Sequence, residues 1–262
     1  MSKHTASTRR DAIVERLAHQ GEISVDALAR HFATSTVTIR KDLAVLEGEG
    51  RLMRRYGGAT LIPQEADSPS RPSRAKRAIA RAASECIRPH GRLIIDSGST
   101  TGALIPELSR FEGLVVMTNS LGVAGALHEL ERPPTLLMTG GTWDPHSASF
   151  QGQVAESVLR AYDFDQLFIG ADGIDIARGT TTFNELLGLS RVMAEVAREV
   201  IVLVESDKFG RRIPNLELPW SAIDMLITDD RLDDAHCRSI EAHGIRVKRV
   251  ERDIVADAAA TG

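Results

Sequence analysis

An open, mostly parallel α/β fold preceded by a small helical unit is the architecture that this 262-residue chain predicts. Three observations lead there. From Arg92 onward, short apolar runs alternate with glycine-rich turns and helical segments, as in a parallel sheet covered on both faces. Ahead of them stand three helical stretches and a short arginine-rich pair of strand candidates. Between the two parts lies a stretch of prolines and serines that cannot build a packed core.

The helical unit comes first in the chain. Arg9 to Ala18 places Ile13, Val14 and Leu17 on one face, and Gly21 breaks it. Ser24 is a candidate N-cap for a short helix carrying Val25, Leu28, Ala29 and Phe32 at helical spacing. After a turn through Ala33 and Thr34, the run Ser35-Thr36-Val37-Thr38-Ile39-Arg40-Lys41-Asp42-Leu43 opens a third helix. Ile39, Leu43 and Leu46 fall at i, i+4 and i+7 and share an apolar face. Ser35, Thr36, Thr38, Arg40 and Lys41 are then free to meet phosphates or base edges, as the N-terminal end of a recognition helix does. Asp42 would be repelled by phosphate, so it is expected to face its own protein. The helix should end near Gly48 and Gly50. The stretch Gly50–Thr60 then reads as two short strands around a turn, the wing of a winged helix-turn-helix, with Arg51, Arg54 and Arg55 along a phosphate backbone or a minor groove, and with Tyr56 either stacked on a sugar or packed within the wing. A small helical bundle for oligomerisation would not need cations in these places.

Charge is distributed to match. The whole chain carries a net charge of -4, yet residues 1–60 hold ten Lys/Arg against seven Asp/Glu. A basic front on an acidic body is expected when one part alone meets nucleic acid. Cys86 and Cys237 form no CxxC pair, and the eight histidines show no HxxxH spacing, so neither a disulfide framework nor a metal site is expected. The polar start lacks an apolar signal core, and no apolar run approaches a membrane span. The expectation is a cytoplasmic protein with no membrane partner.

These boundaries predict a DNA-binding domain over residues 1–62, a linker over 63–73 and a mostly parallel α/β domain over 74–262. Within the last, a helix is expected near Arg74–Ile87. Candidate strands are Leu93–Asp96, Leu114–Thr118, Thr135–Thr139, Gln166–Gly170, Val200–Glu205, Asp224–Thr228 and Ile245–Val250.

The loops after these strands carry the candidate ligand chemistry. Asp96-Ser97-Gly98-Ser99-Thr100-Thr101 follows one strand and opens a helix. Hydroxyls, backbone N–H groups and a glycine permitting close approach suit a phosphate. The same residues also make an ordinary capped turn. Their place at the carboxyl end of a strand, where open α/β sheets bind ligands, favours the site. Asn119, the Gly140-Gly141 pair, Asp172 and Asp175 follow other strands at the same expected edge and offer partners for sugar hydroxyls. Lys208 stands just past a strongly apolar strand and could meet a phosphate as a point charge. Neither GxGxxG nor a P-loop is present, so no nucleotide cofactor is expected.

The spacing Arg9-x3-Ile13-x3-Leu17, the run Ser35-x2-Thr38-Ile39-Arg40-Lys41-Asp42-Leu43 and the wing Arg55-Tyr56-Gly57-Gly58-Ala59 resemble the N-terminal signature of the DeoR family of bacterial transcription regulators. The likeness continues through nearly the whole chain. Around Ser147–Glu156 and Gly170–Asp175 it is similar to members that govern use of N-acetylgalactosamine and related amino sugars. The resemblance implies a repressor of a sugar catabolic operon, a homo-oligomer bound to operator duplex DNA and released by a phosphorylated sugar. It also implies a sensor domain similar in fold to ribose-5-phosphate isomerase and CoA-transferase enzymes. That kinship raises an alternative, a sugar-phosphate isomerase or deaminase, for which Asp172, Asp175 and Lys208 supply the residue types. The isomerases' glycine-rich lysine loop is not evident, and Arg178-Gly179-Thr180-Thr181 stands in its place. A DNA-binding module also suits a sensor better than a catalyst, so no catalytic residues are assigned.

Overall fold

The computed structural model describes residues 6–20, 22–48, 51–55, 58–60, 72–145, 147–184, 186–211 and 213–252. The chain divides into two compact units, Met1–Ala66 and Asp67–Gly262.

The first unit runs α1 (Ala6–Gln20), β1 (Glu22–Ser24), α2 (Val25–His31), α3 (Thr36–Gly48), β2 (Met53–Arg55) and β3 (Gly58–Thr60). Ile13 and Leu17 of α1, Leu28 of α2, and Ile39, Leu43 and Leu46 of α3 are all buried in one core. Burying each such side chain stabilises the unit by roughly 1.5–3 kcal/mol. Ser24 begins α2 by accepting a hydrogen bond from the Ala27 N–H at 3.1 Å. The strands form an antiparallel sheet in the order β1-β3-β2, with Arg55 opposite Gly58 in the hairpin. The hairpin agrees with the expected wing, and β1 adds a third strand. Only three residues long and directly against the α2 cap, β1 carries too few residues to show alternation.

Asp42 turns inward, as expected. It is buried on α3, and its carboxylate meets Arg9 Nε at 2.6 Å and Arg10 Nε at 3.3 Å, both from α1. A buried carboxylate is stable only with such partners, so the contact fixes α1 against α3.

The second unit runs α4 (Arg74–Ser84), β4 (Arg92–Ile95), α5 (Ser99–Gly102), β5 (Val115–Thr118), α6 (Leu121–His128), β6 (Thr135–Met138), β7 (Thr142–Asp144), β8 (Ser149–Gln151), α7 (Gln153–Arg160), β9 (Phe164–Ile169), β10 (Gly173–Asp175), β11 (Gly179–Thr182), α8 (Gly188–Glu195), β12 (Ala197–Leu203), β13 (Asn215–Pro219), β14 (Met225–Asp229), α9 (Asp234–Glu241) and β15 (Arg246–Val250). Seven of these strands form one sheet in the order β15-β14-β12-β9-β4-β5-β6, and every neighbouring pair is parallel. These seven are the strands expected from the apolar runs, to within three residues at each end.

Period-two alternation divides their side chains between two cores. Leu93 and Ile95 of β4, with Ile201 and Leu203 of β12, face the core made with α4 and α6. Ile94, Val200 and Val202 face the opposite core, made with α7, α8 and α9. Helices therefore cover both faces, as an all-parallel sheet requires.

Two small additions were not expected from the sequence. One is the β7–β8 hairpin, where Trp143 and Phe150 meet edge to face at 5.4 Å. The other is an antiparallel sheet in the order β10-β11-β13. Its strands are short, and their large apolar residues, Ile174, Leu216 and Leu218, stand singly, so they lack the apolar runs that marked the main sheet.

The connections fix where a ligand can enter. From β4 the chain moves outward through β5 to β6, then returns to place β9 on the other side of β4 and continues through β12, β14 and β15. The direction of winding reverses between β4 and β9. In open α/β sheets the crevice at such a switch point, beyond the carboxyl ends of the strands, is the binding place.

Candidate functional site

On α3, the exposed residues are Val37, Arg40, Lys41, Ala44 and Val45, and they occupy the side opposite Ile39, Leu43 and Leu46. Ser35 precedes the helix and accepts a hydrogen bond from the Thr38 N–H at 3.1 Å. The two hydroxyls share a further bond of 2.9 Å. Ser35 and Thr38 thus cap the helix, and Thr36 opens it half-buried. Arg40 and Lys41 project into solvent. Arg51 pairs with Asp11 of α1 at 2.9 Å. Arg54 and Arg55 lie on β2, in the hairpin. Tyr56 lies outside the described residues.

The switch-point crevice gathers more. Asp96 directly follows β4, and its N–H reaches the Phe168 carbonyl of β9 at 3.1 Å. The Ser97 N–H donates to Asn119 Oδ1 at 3.1 Å, which ties the loop after β4 to the loop after β5. Gly98 has φ of +142°, a region that L side chains rarely adopt, and this lets the chain turn into α5. Thr101 Oγ1 donates to the Asp96 and Gly98 carbonyls at 2.9 and 3.0 Å, so Thr101 holds the loop's shape. Thr100 is also buried, whereas Ser99 keeps part of its surface open. Because α5 is a single turn, its dipole is small. Any anion here depends on local donors and on nearby side-chain charge.

That charge comes from a residue that sequence reasoning missed. Lys76, three residues into α4, is 97% buried and donates from Nζ to Ser99 Oγ at 2.5 Å. It also stands 3.8 Å from Glu205 Oε2, just past β12. Glu205 Oε1 in turn accepts from Ser73 Oγ at 2.8 Å, and Ser73 is the N-cap of α4, accepting from the Lys76 N–H at 3.1 Å. The Glu205 loop is anchored by Asp229 at the end of β14. Asp229 accepts from the Ser206 N–H and hydroxyl, both at 2.8 Å, and from Arg231 Nε at 2.8 Å. Burial alone would raise this carboxyl, but the Arg231 and Ser206 donors outweigh it and hold it at about 2.

Across the switch point, Asp172 accepts from Thr182 Oγ1 at 2.7 Å and from the Phe183 N–H at 3.1 Å. Lys208 Nζ donates to the Ala171 carbonyl at 2.9 Å, at the mouth of the same loop. Burial pushes the Asp96 carboxyl up to about 6; donors from Ser97 and Asn119 pull it back, while the Asp172 charge adds to the rise. Glu217, on β13, is 8% exposed. Burial, then the charge of Asp96, push its carboxyl up to about 8, against donors from Ser190 and Thr180. Glu217 was also missed, since a Glu alternating with Leu216 and Leu218 reads as the solvent-facing position of a half-buried strand.

Two expected groups sit elsewhere. Asp175 closes the β10–β11 turn, accepting from Arg178 Nε at 2.6 Å and the Ala177 N–H at 3.0 Å. Gly140 and Gly141 follow β6, the edge strand two positions from β4, or roughly 10 Å away at ordinary strand spacing. Gly141 has φ of +109°, and a Cβ there would meet the Gln151 carbonyl at 2.6 Å, so its glycine serves the turn into β7. Among the described residues, no cluster of His, Cys, Asp and Glu is arranged to hold a metal ion, and no helix is long and apolar enough to cross a membrane.

A helical unit presenting two cations on a capped helix, in one chain with an open α/β unit whose switch point holds cations, hydroxyls and carboxylates, defines a ligand-responsive DNA-binding regulator. The family models and the curated relatives agree. A DeoR-like helix-turn-helix domain matches residues 9–65, and the DeoR C terminal sensor domain matches residues 71–230. A protein of Escherichia coli O157:H7 named as an aga operon transcriptional repressor is 40% identical over 92% of this chain and 93% of its own length. The HTH-type transcriptional regulator GlpR of Haloferax volcanii is 32% identical over 91% of this chain and 96% of its own. Ribose 5-phosphate isomerase A from Methanocaldococcus jannaschii aligns with 52% of this chain and 54% of its own at 19% identity and a TM-score of 0.39. The chain belongs to the DeoR family of transcriptional regulators, and it is a regulator, not an enzyme.

Proposed function

We propose that this chain represses a sugar or amino sugar catabolic operon and leaves its operator when a phosphorylated sugar fills the switch-point crevice. In this reading residues 1–62 grip DNA, 63–73 link, and 74–262 sense the sugar and join subunits into a homo-oligomer. The observation that carries it is the bond from the buried Lys76 to Ser99, on the loop that begins with Asp96, whose carboxyl in turn feels the charge of Asp172, at the reversal of strand order. A sugar phosphate has the matching halves. Its phosphate suits the Lys76–Ser99 side, since Asp96 and Asp172 would repel it, and its hydroxyls suit the carboxylates.

Arg40 and Lys41 enter the major groove with the exposed side of α3, and the hairpin bearing Arg54 and Arg55 lies along the backbone. The relative with a repressor's name is consistent with this direction of control. A thermal-shift screen against hexose, pentose and amino sugar phosphates tests the sensor, because a ligand bound by the folded state raises its apparent stability. At least one phosphate should shift the protein where its unphosphorylated sugar does not. No shift with any phosphate, at millimolar concentration, contradicts the reading.

A further inference from the structure

We propose that Lys76 is shared between the effector's phosphate and Glu205, and that this competition carries occupancy of the crevice to the segment that leads from the DNA-binding unit. The inference rests on the sugar-phosphate reading above and deepens it. Four side chains form one continuous path: Ser99 to Lys76 at 2.5 Å, Lys76 to Glu205 at 3.8 Å, and Glu205 to Ser73 at 2.8 Å. The path begins on the loop expected to meet phosphate. It ends on the N-cap of α4, the first helix after the proline-rich stretch. Arg77 reinforces this end, donating from Nη1 to the Pro72 carbonyl at 2.5 Å.

The physics is a matter of charge count in a confined place. Before a phosphate docks, the buried Lys76 ammonium stands 3.8 Å from the Glu205 carboxylate. A phosphate docking on Ser99 adds nearly two negative charges beside the same ammonium. Charge-assisted bonds to phosphate are short and strong, while the Lys76–Glu205 contact is long to begin with. Lys76 therefore turns toward the phosphate, and Glu205 is left beside a like charge in surroundings that screen it poorly. Ser73 still holds its other oxygen. A carboxylate pushed from its place takes its partner with it or releases it, and in either case the start of α4 moves. A ligand changes a distant equilibrium only through such differential contacts, and the coupling must be reciprocal.

Glu205→Gln is the discriminating variant. Glutamine keeps the size and can still accept from Ser73, but it carries no charge for phosphate to repel. It should therefore bind the effector more tightly and respond to it less, a combination that damage to the fold would not produce. Lys76→Met should lose effector binding. Ser73→Ala should keep effector binding and lose release.

The probes are inorganic phosphate, glucose 6-phosphate, galactosamine 6-phosphate and ribose 5-phosphate at constant ionic strength, with the full-length protein. Calorimetric titration reads probe affinity, and fluorescence anisotropy of an operator duplex, recovered by selection from a random pool, reads release. For the probe that the parent binds best, we expect Lys76→Met to weaken binding by about tenfold or more, the loss of one charge-assisted contact. Glu205→Gln should tighten it about threefold or more while the probe's effect on operator affinity falls to within about twofold of none. Parent-like release in both Glu205→Gln and Ser73→Ala would overturn the relay, and parent-like affinity in Lys76→Met would overturn the phosphate contact. A parent that binds operator but none of the probes would instead refute the sensor reading on which the relay rests.

Discussion

Glu217→Gln should make the sensor unit less sensitive to rising pH. The Glu217 carboxyl sits on β13, is 8% exposed, and is pushed from 4.5 to about 8 by burial and by the charge of Asp96. Near neutral pH the folded state thus holds a proton that the unfolded chain has released. The sign follows directly. The contribution is fully present below the unfolded value of 4.5 and is lost as pH rises toward about 8. Each pH unit in that window costs about 1.4 kcal/mol, so from pH 5.5 to 7.5 the parent should lose about 2–3 kcal/mol that the glutamine variant keeps. Urea is the right denaturant, since a salt would screen the charges involved. Both tryptophans, Trp143 and Trp220, lie in the second unit, and Trp220 is buried in its core, so fluorescence reports that unit. The difference in unfolding free energy between parent and variant should change with a slope of about 1.4 kcal/mol per pH unit. Equal stability differences at pH 5.5, 6.5 and 7.5 would refute the assignment of a buried, protonated Glu217.

Other outcomes concern the DNA-binding unit. Arg40→Ala removes an exposed guanidinium from α3 and should weaken binding of duplex DNA while leaving the unfolding midpoint unchanged; its log–log salt slope should drop by about one. Affinity equal to the parent across a salt titration would remove α3 from the interface. Asp42→Asn leaves Arg9 and Arg10 beside a neutral amide in a buried setting, and should destabilise the first unit by about 3 kcal/mol as judged by circular dichroism melting. A change below about 0.5 kcal/mol would show that the pair does not fix α1 to α3. Ile94→Ala, in the centre of β4, should cost about 2–5 kcal/mol in urea unfolding. A loss under about 1 kcal/mol would mean that the site's floor is not the packed layer described.

How much of this could be read from the sequence depends on what each residue's neighbours reveal. The seven sheet strands were legible because strands buried on both faces must be apolar throughout, and runs such as Val200–Val204 are. The recognition helix was legible because Ile39, Leu43 and Leu46 mark its inner face, which leaves Arg40 and Lys41 outside. The inward turn of Asp42 followed from its charge.

Hydroxyl residues were harder to read. Ser35 and Thr38 bond to each other, and Thr101 bonds to its own loop, although residue type alone fits a ligand equally well. Asp175 is a turn residue for the same reason. Lys76 and Glu217 were illegible. Lys76 sits in a stretch of alternating small and charged residues that reads as a solvated helix face, and its partners lie far along the chain, at Ser99 and Glu205. Only the folded sheet brings them together, and periodicity carries no information about which charged residue of a helix will be buried.

The central claim is that one end of this chain grips duplex DNA and that occupancy of the β4–β9 crevice by a sugar phosphate loosens that grip. The most direct measurement is anisotropy of a labelled operator duplex, selected from a random pool with the full-length protein, titrated with protein in the absence and presence of each sugar phosphate at fixed ionic strength. The account expects tight binding without effector and at least tenfold weaker binding, about 1.4 kcal/mol, with one phosphorylated sugar but not with its unphosphorylated form. Binding to no duplex sequence above the non-specific level, or operator affinity unmoved by every sugar phosphate that binds the protein, would contradict it.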